Sequence, residues 1–372
     1  MLKKIKTRLN DMDTGFLMTV LMLTAYGLIM VYSASSPNSF YQTGDGMYYL
    51  KSQAIWAVIG VVAMFVTASV DYRFIKKIRF LIYGASVFLL LLVALVGTSV
   101  KGAKRWLHIG PFSMQPSEMA KIAIIVMCAY ILSNIKDVHW KKTWQFLLSC
   151  VLIFALCGLF LIFQPHFSAI LIIVGAIGVM MIVAGVSMRI FTAAGIVAGL
   201  LGVVLAFAEP YRVERLMSFR NPFLDKSDTG YQAVQSLYAI GSGGFSGLGL
   251  GRSRQKYLYI PEPQNDFIFS IICEELGFLG AMIVVVLFIV LLWKGTVIAL
   301  NAPDRYSMIL TFGLISLIAI QVILNIGVTT SSIPPTGIPL PFFSAGGSSF
   351  VFQMIAMGMI LNISSQPKVV VE

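Results

Sequence analysis

Residues 80–96 read FLIYGASVFLLLLVALV, a run in which no side chain carries a charge. This run is apolar on every side, as is the segment 195–208, whereas a helix at the surface of a soluble protein keeps one polar face. A helix needs about 20 predominantly apolar residues to cross the hydrocarbon core of a bilayer. The 372-residue chain is 58% hydrophobic and 12% charged, with a mean hydropathy of +0.87. These features predict an all-α, polytopic membrane protein and argue against a soluble helical one.

Similar apolar runs occur along the whole chain and predict ten transmembrane helices. The first run has no small-residue cleavage site, so we interpret it as a retained span rather than a signal peptide. The polar stretches contain no separate soluble domain, and residues 1–372 therefore read as one integral membrane domain. Its longest loop, residues 209–266, connects the seventh and eighth helices. The predicted spans are 14–34, 53–70, 79–98, 116–133, 144–162, 166–185, 189–208, 267–293, 306–328 and 344–364.

The distribution of basic residues predicts which side of the membrane each loop faces. Loops rich in lysine and arginine tend to stay in the cytoplasm, although long loops translocate largely regardless of charge. With the loop 209–266 set aside for that reason, most of the remaining lysines and arginines fall on the side of the N-terminus. We therefore expect both termini in the cytoplasm and the long loop outside.

Basic residues are also unusually frequent on the predicted outer face. Positive charge beside a membrane attracts anionic headgroups and phosphates, and arginine can bind phosphate oxygens in pairs. For any one of these residues, nonspecific contact with lipid headgroups is the favoured explanation. As a group they run against the usual charge bias, and we interpret them as suited to a phosphorylated lipid substrate. They are Lys101, Lys104, Arg105, Arg212, Arg215, Arg220, Arg252, Arg254 and Lys256.

Acidic residues in or beside the apolar runs are the candidates for chemistry. Asp266 lies where a proline-marked polar loop turns into an apolar helix, at the expected boundary between water and hydrocarbon. Glu118 and Lys121 share one helical face. They fit either a structural ion pair or a substrate-lining pair, because ionisable groups at membrane depth face a partner or a cavity. Glu274 and Glu275 are adjacent and point in different directions, and we predict structural hydrogen bonds for them.

Two segments rich in glycine or proline need an interpretation. Residues 239–253, AIGSGGFSGLGLGRS, contain no GK[ST] sequence and belong to no strand–turn–helix unit, which argues against a nucleotide-binding loop. We predict a flexible re-entrant or interfacial loop there. Residues 333–347 read as a rigid irregular loop, which is tolerated at membrane depth only where it lines a polar cavity.

Six segments between residues 13 and 349 resemble motifs of a known family and occur in the same order as in that family. With them the chain resembles, nearly end to end, the SEDS proteins (shape, elongation, division and sporulation), the family of FtsW, RodA and SpoVE. The sequences QAVQSLYAIGSGG and IPPTGIPLPFF are more similar to the FtsW and SpoVE branch than to RodA. This similarity favours a role in division or in the spore septum. The segments are DTGFLMTVLMLTAYGLIMVYSAS (13–35), KRWLHIGPFSMQPSEMAKIA (104–123), YRVERLMSFRNPF (211–223), GYQAVQSLYAIGSGGFSGLGLG (230–251), YIPEPQNDFIFSIICEELG (259–277) and TGIPLPFFSAGGSS (336–349).

The resemblance implies an inverting glycosyltransferase that polymerises lipid II into glycan strands at the outer face of the bacterial cytoplasmic membrane. Family members work with a class B penicillin-binding transpeptidase. The implied partners are therefore lipid II, that transpeptidase and the membrane, with no nucleic acid. The essential acid of the family matches Asp266. Its Trp after the basic pair matches Trp106, and its Glu and Lys in PSExxK match Glu118 and Lys121.

The implied chemistry needs one well-placed base. The 4-hydroxyl of an acceptor GlcNAc attacks the anomeric carbon of a donor MurNAc while undecaprenyl pyrophosphate leaves from the opposite face, so no covalent intermediate is required. Asp266 would take the proton as the catalytic base. Basic residues or a divalent cation, Mg²⁺ or Mn²⁺, would stabilise the leaving pyrophosphate. The metal ligands are unknown, and no organic cofactor is expected. The residues predicted to bind substrate are Lys104, Arg105, Trp106, Glu118, Lys121, Arg212, Arg215 and Lys256.

The chain departs from the family pattern at three places. The motif commonly written QPDFGT is QPHFSA at residues 164–169, so His166 replaces an acid. The residue before the key acid is Asn265 instead of Thr, and the SYGGSS segment contains Ala345. None of these changes removes Asp266. If His166 lies near the mouth of the cavity, activity should depend on pH, which a flat profile between about pH 5.5 and 8 would contradict.

Two other functional classes stay open at this stage. A lipid II flippase or another transporter shares the many spans, the intramembrane Glu118 and Lys121, and the proline-broken segments. Such a transporter predicts ionisable residues spread through the membrane midplane, whereas those of this chain concentrate on the outer face. A non-catalytic scaffold for a class B penicillin-binding protein is compatible with the altered QPHFSA motif. The presence of Asp266, Glu118, Lys121 and Trp106 argues against a scaffold.

Overall fold

The computed structural model describes most of the chain, and its principal elements are apolar helices. The described residues are 11–100, 103–109, 112–134, 140–164, 167–207, 219, 222–223, 230–257 and 259–366. The helices are α1 Thr14–Thr43, α2 Tyr48–Ser69, α3 Tyr72–Lys77, α4 Arg79–Val96, α5 Pro116–Ser133, α6 Trp140–Phe163, α7 Phe167–Val183, α8 Met188–Phe207, α9 Tyr231–Gly243, α10 Ile268–Leu300, α11 Arg305–Thr329 and α12 Gly347–Ser364.

Ten of these helices coincide with the ten predicted spans, and the short helices α3 and α9 lie between spans. Seven of the ten, α1, α2, α4, α5, α10, α11 and α12, are long and apolar enough to cross a membrane. The remaining three, α6 to α8, contain shorter apolar stretches. The predicted fold class is confirmed as a mostly helical, polytopic membrane protein, with shorter apolar helices at three of the ten predicted spans.

Aspartates precede α1 and α11 and accept hydrogen bonds from unpaired N–H groups of the first turn. Asp13 precedes α1, and its side chain accepts a hydrogen bond from the backbone N–H of Phe16 at 2.7 Å. Asp304 and Ser307 form a reciprocal capping box at the start of α11. Helix α5 begins with Pro116, a residue suited to the first helical position because its missing N–H would be unpaired there anyway.

Helix α5 is the most deeply buried span of the bundle. In its most apolar window, 83% of the residues are buried inside the protein, against 17% for α4. It packs against α4, α7 and α11. Burial on all sides explains why its sequence has no polar face, and it also places Glu118 and Lys121, near the start of the helix, inside the protein.

Helices α2 and α12 form the most extensive helix pair, and glycine permits their close approach. A Cβ atom on Gly358 of α12 would lie 2.4 Å from the backbone oxygen of Met64 in α2. Membrane helices associate through such packing, because lipid tails are as apolar as the side chains and leave little hydrophobic driving force between helices. A residue larger than glycine at position 358 would push α12 away from α2.

Helix α10 is interrupted at Gly277, where the backbone has φ 65° and ψ −163°. The break frees the carbonyls of Glu274 and Glu275 and the N–H groups of Phe278 and Leu279 from their helical partners. A loop after α9 replaces those partners. Gly244 and Phe245 accept hydrogen bonds from the two N–H groups at 3.0 and 3.2 Å.

The same loop also satisfies the freed carbonyls. Leu248 donates to the carbonyl of Glu274 at 3.0 Å, and Gly249 donates to that of Glu275 at 2.9 Å. A broken membrane helix is tolerated when its freed backbone groups find such partners. The segment predicted as a flexible re-entrant or interfacial loop, residues 239–253, begins inside α9. The loop that follows is hydrogen-bonded into the break of α10, so its backbone is held in place, and its position relative to the membrane stays a prediction.

An antiparallel sheet, absent from the predicted elements, precedes α5. Its strands are β1 Thr98–Val100, β2 Ala103–Ile109 and β3 Phe112–Met114, in the order β1-β2-β3. Trp106 pairs with Thr98, and Leu107 pairs with Met114. Alternate residues of β2 face different environments: Lys104 and His108 are exposed, whereas Leu107 is buried. The sheet covers the start of α5.

Candidate active site

Asp266 lies at the end of a loop, two positions before the first residue of α10, and is half-buried. We call residues 259–267 the aspartate loop and residues 330–346 the proline loop. A Cβ atom added to Gly337 of the proline loop would lie 3.4 Å from the Oδ2 atom of Asp266. The backbone φ of Gly337 is +65°, a value that favours glycine. Glycine at this position therefore lets the proline loop pass directly beside the carboxylate.

Hydrogen bonds join the two loops. The hydroxyl of Ser344 donates to the carbonyl of Asn265 at 2.6 Å. The backbone N–H of Ala345 donates to the carbonyl of Gln264 at 2.8 Å. Because the bond at Ala345 comes from the backbone, alanine can occupy this position without breaking it. The loops form one unit around Asp266.

Asn265, where the family pattern has Thr, has a partner in its own loop. Its side-chain Nδ2 donates to a carboxylate oxygen of Glu262 at 3.1 Å, and its backbone N–H donates to the carbonyl of Glu262 at 3.0 Å. Glu262 has a φ of 49°, and the other described non-glycine residues with positive φ are Ser331 and Phe342 of the proline loop. Strained backbone conformations of this kind cluster at functional sites.

The altered QPHFSA motif reaches the same loops. The hydroxyl of Ser168 donates to the carbonyl of Thr336 in the proline loop at 2.5 Å. On the other side of the motif, the carbonyl of Gln164 accepts a hydrogen bond from Nε of Arg105 at 3.0 Å. The sheet and the proline loop thus both contact this motif. His166 lies outside the described residues, so its predicted effect on pH dependence stays a prediction.

Glu118 and Lys121 form an ion pair with 2.8 Å between Oε2 and Nζ. Both residues are buried, with exposed fractions of 6% and 5%. The prediction that they share one helical face is confirmed. Just before α5, the N–H of Gln115 donates to the hydroxyl of Ser348 at 3.1 Å. Ser348 belongs to the SAGGSS segment, so the start of α5 is linked to the chain that continues from the proline loop.

The predicted basic and aromatic substrate residues occupy different environments. Lys104, Arg252 and Arg254 are exposed, and Arg105 and Trp106 are half-buried. The remaining predicted cations lie outside the described residues; they are Lys101, Arg212, Arg215 and Arg220.

Lys256 does not contribute to an exposed cationic surface. It is 3% exposed, and its Nζ lies 2.7 Å from Oε1 of Glu275, which is fully buried. Ser33 of α1 donates to the other carboxylate oxygen of Glu275 at 2.5 Å. We predicted Lys256 among the substrate-binding residues from its charge and its place in the long loop. In the structure its charge is neutralised inside the protein by Glu275.

Glu274 also has a structural environment. Its carboxylate accepts a hydrogen bond from the hydroxyl of Ser253 and another from the backbone N–H of Arg254 at 2.9 Å. The two adjacent glutamates of α10 therefore fix the chain that follows the glycine segment. This agrees with the prediction of structural hydrogen bonds for Glu274 and Glu275.

The described residues do not fit a metal ion held by protein side chains alone. Within that part of the chain, no group of three or more His, Cys, Asp or Glu residues could hold one. The divalent cation stays a prediction, and its protein ligands are unknown.

The chain matches a known family and known proteins over nearly its whole length. The family model for FtsW, RodA and SpoVE, described as cell cycle protein, matches residues 13–369. Stage V sporulation protein E of Bacillus subtilis is 42% identical over 362 residues, which cover 96% of this chain and 98% of that protein. A probable peptidoglycan glycosyltransferase FtsW of Trichlorobacter lovleyi is 39% identical over 360 residues, which cover 96% of this chain and 94% of that protein.

Solved structures give the same result. A chain from a study described as "Structural coordination of polymerization and crosslinking by a peptidoglycan synthase complex" has a TM-score of 0.80 and 26% identity, covering 95% of this chain and 97% of that chain. RodA of Thermus thermophilus has a TM-score of 0.70 and 25% identity, covering 95% and 96% of the two chains. Both likenesses extend over nearly the whole bundle.

Proposed function

Because the chain belongs to the FtsW, RodA and SpoVE family, we propose that it is a peptidoglycan glycosyltransferase that polymerises lipid II into glycan strands. Relatives in its FtsW branch carry the name of that activity. The similarity to the FtsW and stage V sporulation proteins favours a role in division or in the spore septum.

The observation that carries the proposal is the meeting of separate sequence motifs around Asp266. The aspartate loop, the proline loop and the SAGGSS segment are joined by hydrogen bonds at Gln264 and Asn265. The altered QPHFSA motif contacts the proline loop through Ser168, and the sheet contacts that motif through Arg105. Distant parts of the chain thus meet around the half-buried carboxylate of Asp266, which can serve as the one base that the reaction needs.

Asp266 acts as the general base in the proposed reaction. Its carboxylate accepts the proton of the acceptor 4-hydroxyl as the oxygen forms a bond to the anomeric carbon of the donor. The bond from that carbon to the pyrophosphate oxygen breaks on the opposite face, and undecaprenyl pyrophosphate leaves with the electron pair. One displacement converts an α-linked donor into a β-linked product, so no carboxylate nucleophile is needed.

Positive charge near the leaving group supports the proposed reaction. Lys104 is exposed and Arg105 is half-buried beside the QPHFSA motif, and both can attract the pyrophosphate. Arg212 and Arg215 complete the proposed set from the sequence alone. Lys256 is left out because Glu275 neutralises it.

Lys121 and Trp106 have more specific proposed roles. Lys121 lies near the start of α5 with its charge paired to Glu118, and substrate phosphate would compete with that carboxylate for the ammonium group. Trp106 is half-buried on β2 and offers an apolar ring face on which a sugar ring can pack.

The membrane setting and the partner complete the proposal. The chain is a membrane protein, and we place it in the bacterial cytoplasmic membrane with both termini inside, as the basic residues predict. A related chain was solved in a study of a peptidoglycan synthase complex that couples polymerisation to crosslinking. We propose a class B penicillin-binding transpeptidase as the partner of this chain.

A reconstituted polymerisation assay tests the function. The purified protein and its cognate transpeptidase are supplied with labelled lipid II and divalent cation, and glycan strands are separated by length. We expect strands from the wild type and at least about a 100-fold loss in Asp266→Asn, because general-base catalysis contributes that much or more. Asp45→Asn is the control, since the solvent-accessible side chain of this acid contacts Lys51 and the backbone N–H of Met47 and belongs to neither loop of the site.

The outcomes separate the three functional classes. Equal polymer from the wild type and Asp266→Asn would refute the base assignment. A wild type that makes no polymer but moves lipid II between leaflets of a vesicle would favour a transporter. A wild type with neither activity that still binds the transpeptidase would favour a scaffold.

A further inference from the structure

A buried asparagine, Asn325, bridges the two loops of the candidate site. It lies one turn before the end of α11 and is 1% exposed. Its Nδ2 atom donates to the backbone carbonyl of Asp266 at 2.8 Å and to the backbone carbonyl of Ile338 at 2.7 Å. One side-chain amide therefore contacts the aspartate loop and the proline loop at once.

The chemistry of these contacts fixes the orientation of the amide. Both partners are carbonyl oxygens, which only accept, so the NH₂ group and not the oxygen of Asn325 must face them. Both amide hydrogens are then used. The Oδ1 atom is buried and has no hydrogen-bond partner among the described residues, so the opposite orientation would give up two hydrogen bonds.

The two bonds act on the position of the carboxylate. Asp266 precedes α10, so its conformation is not set by a helix, and the bond to its carbonyl fixes the backbone from which its side chain extends. Ile338 follows Gly337, the residue that passes beside the Asp266 carboxylate. Asn325 thus sets the distance between the carboxylate and the proline loop from a third element, a long helix.

We propose that Asn325 is a positioning residue for the general base Asp266. This inference rests on the proposed polymerase function. A base displaced by about 1 Å can lose about 100-fold in rate while substrate binding is unchanged, because the reaction requires a specific approach of the two atoms. Asn325 therefore acts on kcat through Asp266 and has no contact with the substrate.

Asn362 of α12 offers a matched control. It is 0% exposed and also makes two hydrogen bonds with backbone groups. Its Nδ2 donates to the carbonyl of Ala68 at 2.7 Å, and its Oδ1 accepts from the N–H of Tyr72 at 2.9 Å. These partners flank α3, far along the chain from both loops of the site. Loss of Asn362 removes comparable bonds without touching Asp266.

The first test compares Asn325→Ala with Asn362→Ala in the lipid II assay with the transpeptidase present. We expect kcat to fall about 10-fold to 100-fold in Asn325→Ala with KM changed less than about twofold. Asn362→Ala should keep kcat within about threefold of the wild type, while thermal unfolding reports a loss of stability in both variants. Equal kcat losses in the two variants would overturn the proposal.

The second test uses Asn325→Asp, which a purely structural role predicts differently. A protonated aspartic acid can donate to one carbonyl, whereas the ionised form donates to none and faces two oxygens. Relative activity of Asn325→Asp against the wild type should therefore fall as pH rises. A ratio that stays constant across the pH range in which thermal unfolding shows the new carboxyl to ionise would overturn the proposal. This test decides the matter alone if Asn325→Ala does not fold.

Failure of the inference can be told apart from failure of the function. If the wild type polymerises lipid II and Asp266→Asn does not, the proposed function stands whatever the Asn325 variants do. If Asp266→Asn is as active as the wild type, there is no base at this position to be positioned, and both proposals are refuted.

Discussion

Lys256 and Glu275 form an ion pair inside the protein, with 2.7 Å between Nζ and Oε1. The side chains are 4% and 0% exposed. Lys256 belongs to the chain after the glycine segment, and Glu275 to α10 just before its break at Gly277. Ser33 of α1 donates to the same carboxylate. The pair thus links the long loop to α10 and, through Ser33, to α1, and it neutralises the charge of Lys256 inside the protein.

Removing one member of this pair should destabilise the protein strongly. Lys256→Met leaves a buried carboxylate without its cation, which typically costs about 3–5 kcal/mol. The double variant Lys256→Met with Glu275→Leu should lose less, because no uncompensated charge remains. Unfolding in detergent measures both losses, and kcat of the folded fraction should stay near the wild-type value. Lys51→Met at the exposed pair with Asp45 is the control and should have no measurable effect on unfolding.

A second prediction concerns Gly337 and its close approach to the carboxylate of Asp266, the proposed base. Gly337→Ala places a Cβ atom 3.4 Å from Oδ2 of Asp266 at a φ of +65°. Gly44→Ala is the matched control, since its φ is +73° and nothing lies within 4 Å of the added atom. Each variant should lose about 1–2 kcal/mol from left-handed backbone strain. Only Gly337→Ala should also lose kcat, about tenfold or more. Equal activity of the two variants would show that the short distance between Gly337 and the Asp266 carboxylate does not matter for catalysis.

The buried pair of Glu118 and Lys121 can be tested by exchanging its charges. Either single neutral variant, Glu118→Gln or Lys121→Met, should lose about 3–5 kcal/mol because one buried charge stays unpaired. The exchange of Glu118→Lys with Lys121→Glu restores an ion pair and should recover part of the stability. Polymerisation should stay low, because the cation then lies one turn away from its native position. Recovery of glycan synthesis together with stability would make the pair purely structural.

The membrane spans were predictable because their signal is local. Each span needs a long apolar run, and every such run produced a helix. Asp266 was recognisable for a similar reason, since its loop changes to an apolar helix within a few residues. The role of Lys256 was not predictable. Its partner Glu275 becomes a neighbour only when the glycine segment folds back onto the break in α10. The positions of basic residues along the sequence do not reveal that contact.

Two further features, the sheet and the role proposed for Asn325, could not be predicted from the sequence. In β2, Lys104 and His108 are exposed and Leu107 is buried. The sequence KRWLH places two polar residues before two apolar ones, so it offered no period of two that would predict a strand. Asn325 could not be recognised as a site residue from the sequence, because a single amide within an apolar run has many structural explanations. Its importance follows from two carbonyls contributed by residues 59 positions before it and 13 positions after it.

The packing of α9 against α10 predicts opposite effects on stability for alanine substitutions at two glycines of α9. A Cβ atom on Gly243 would lie 1.9 Å from the carbonyl oxygen of Cys273, whereas nothing lies within 4 Å of one on Gly241. Gly241→Ala should therefore stabilise the protein by about 0.5–1 kcal/mol, because alanine is the better helix former. Gly243→Ala should destabilise it, since α9 must move away from α10 and the backbone bonds at Gly244 and Phe245 would lengthen or break. Thermal unfolding of the two variants measures the difference, and a midpoint for Gly243→Ala at or above that of Gly241→Ala would contradict this packing.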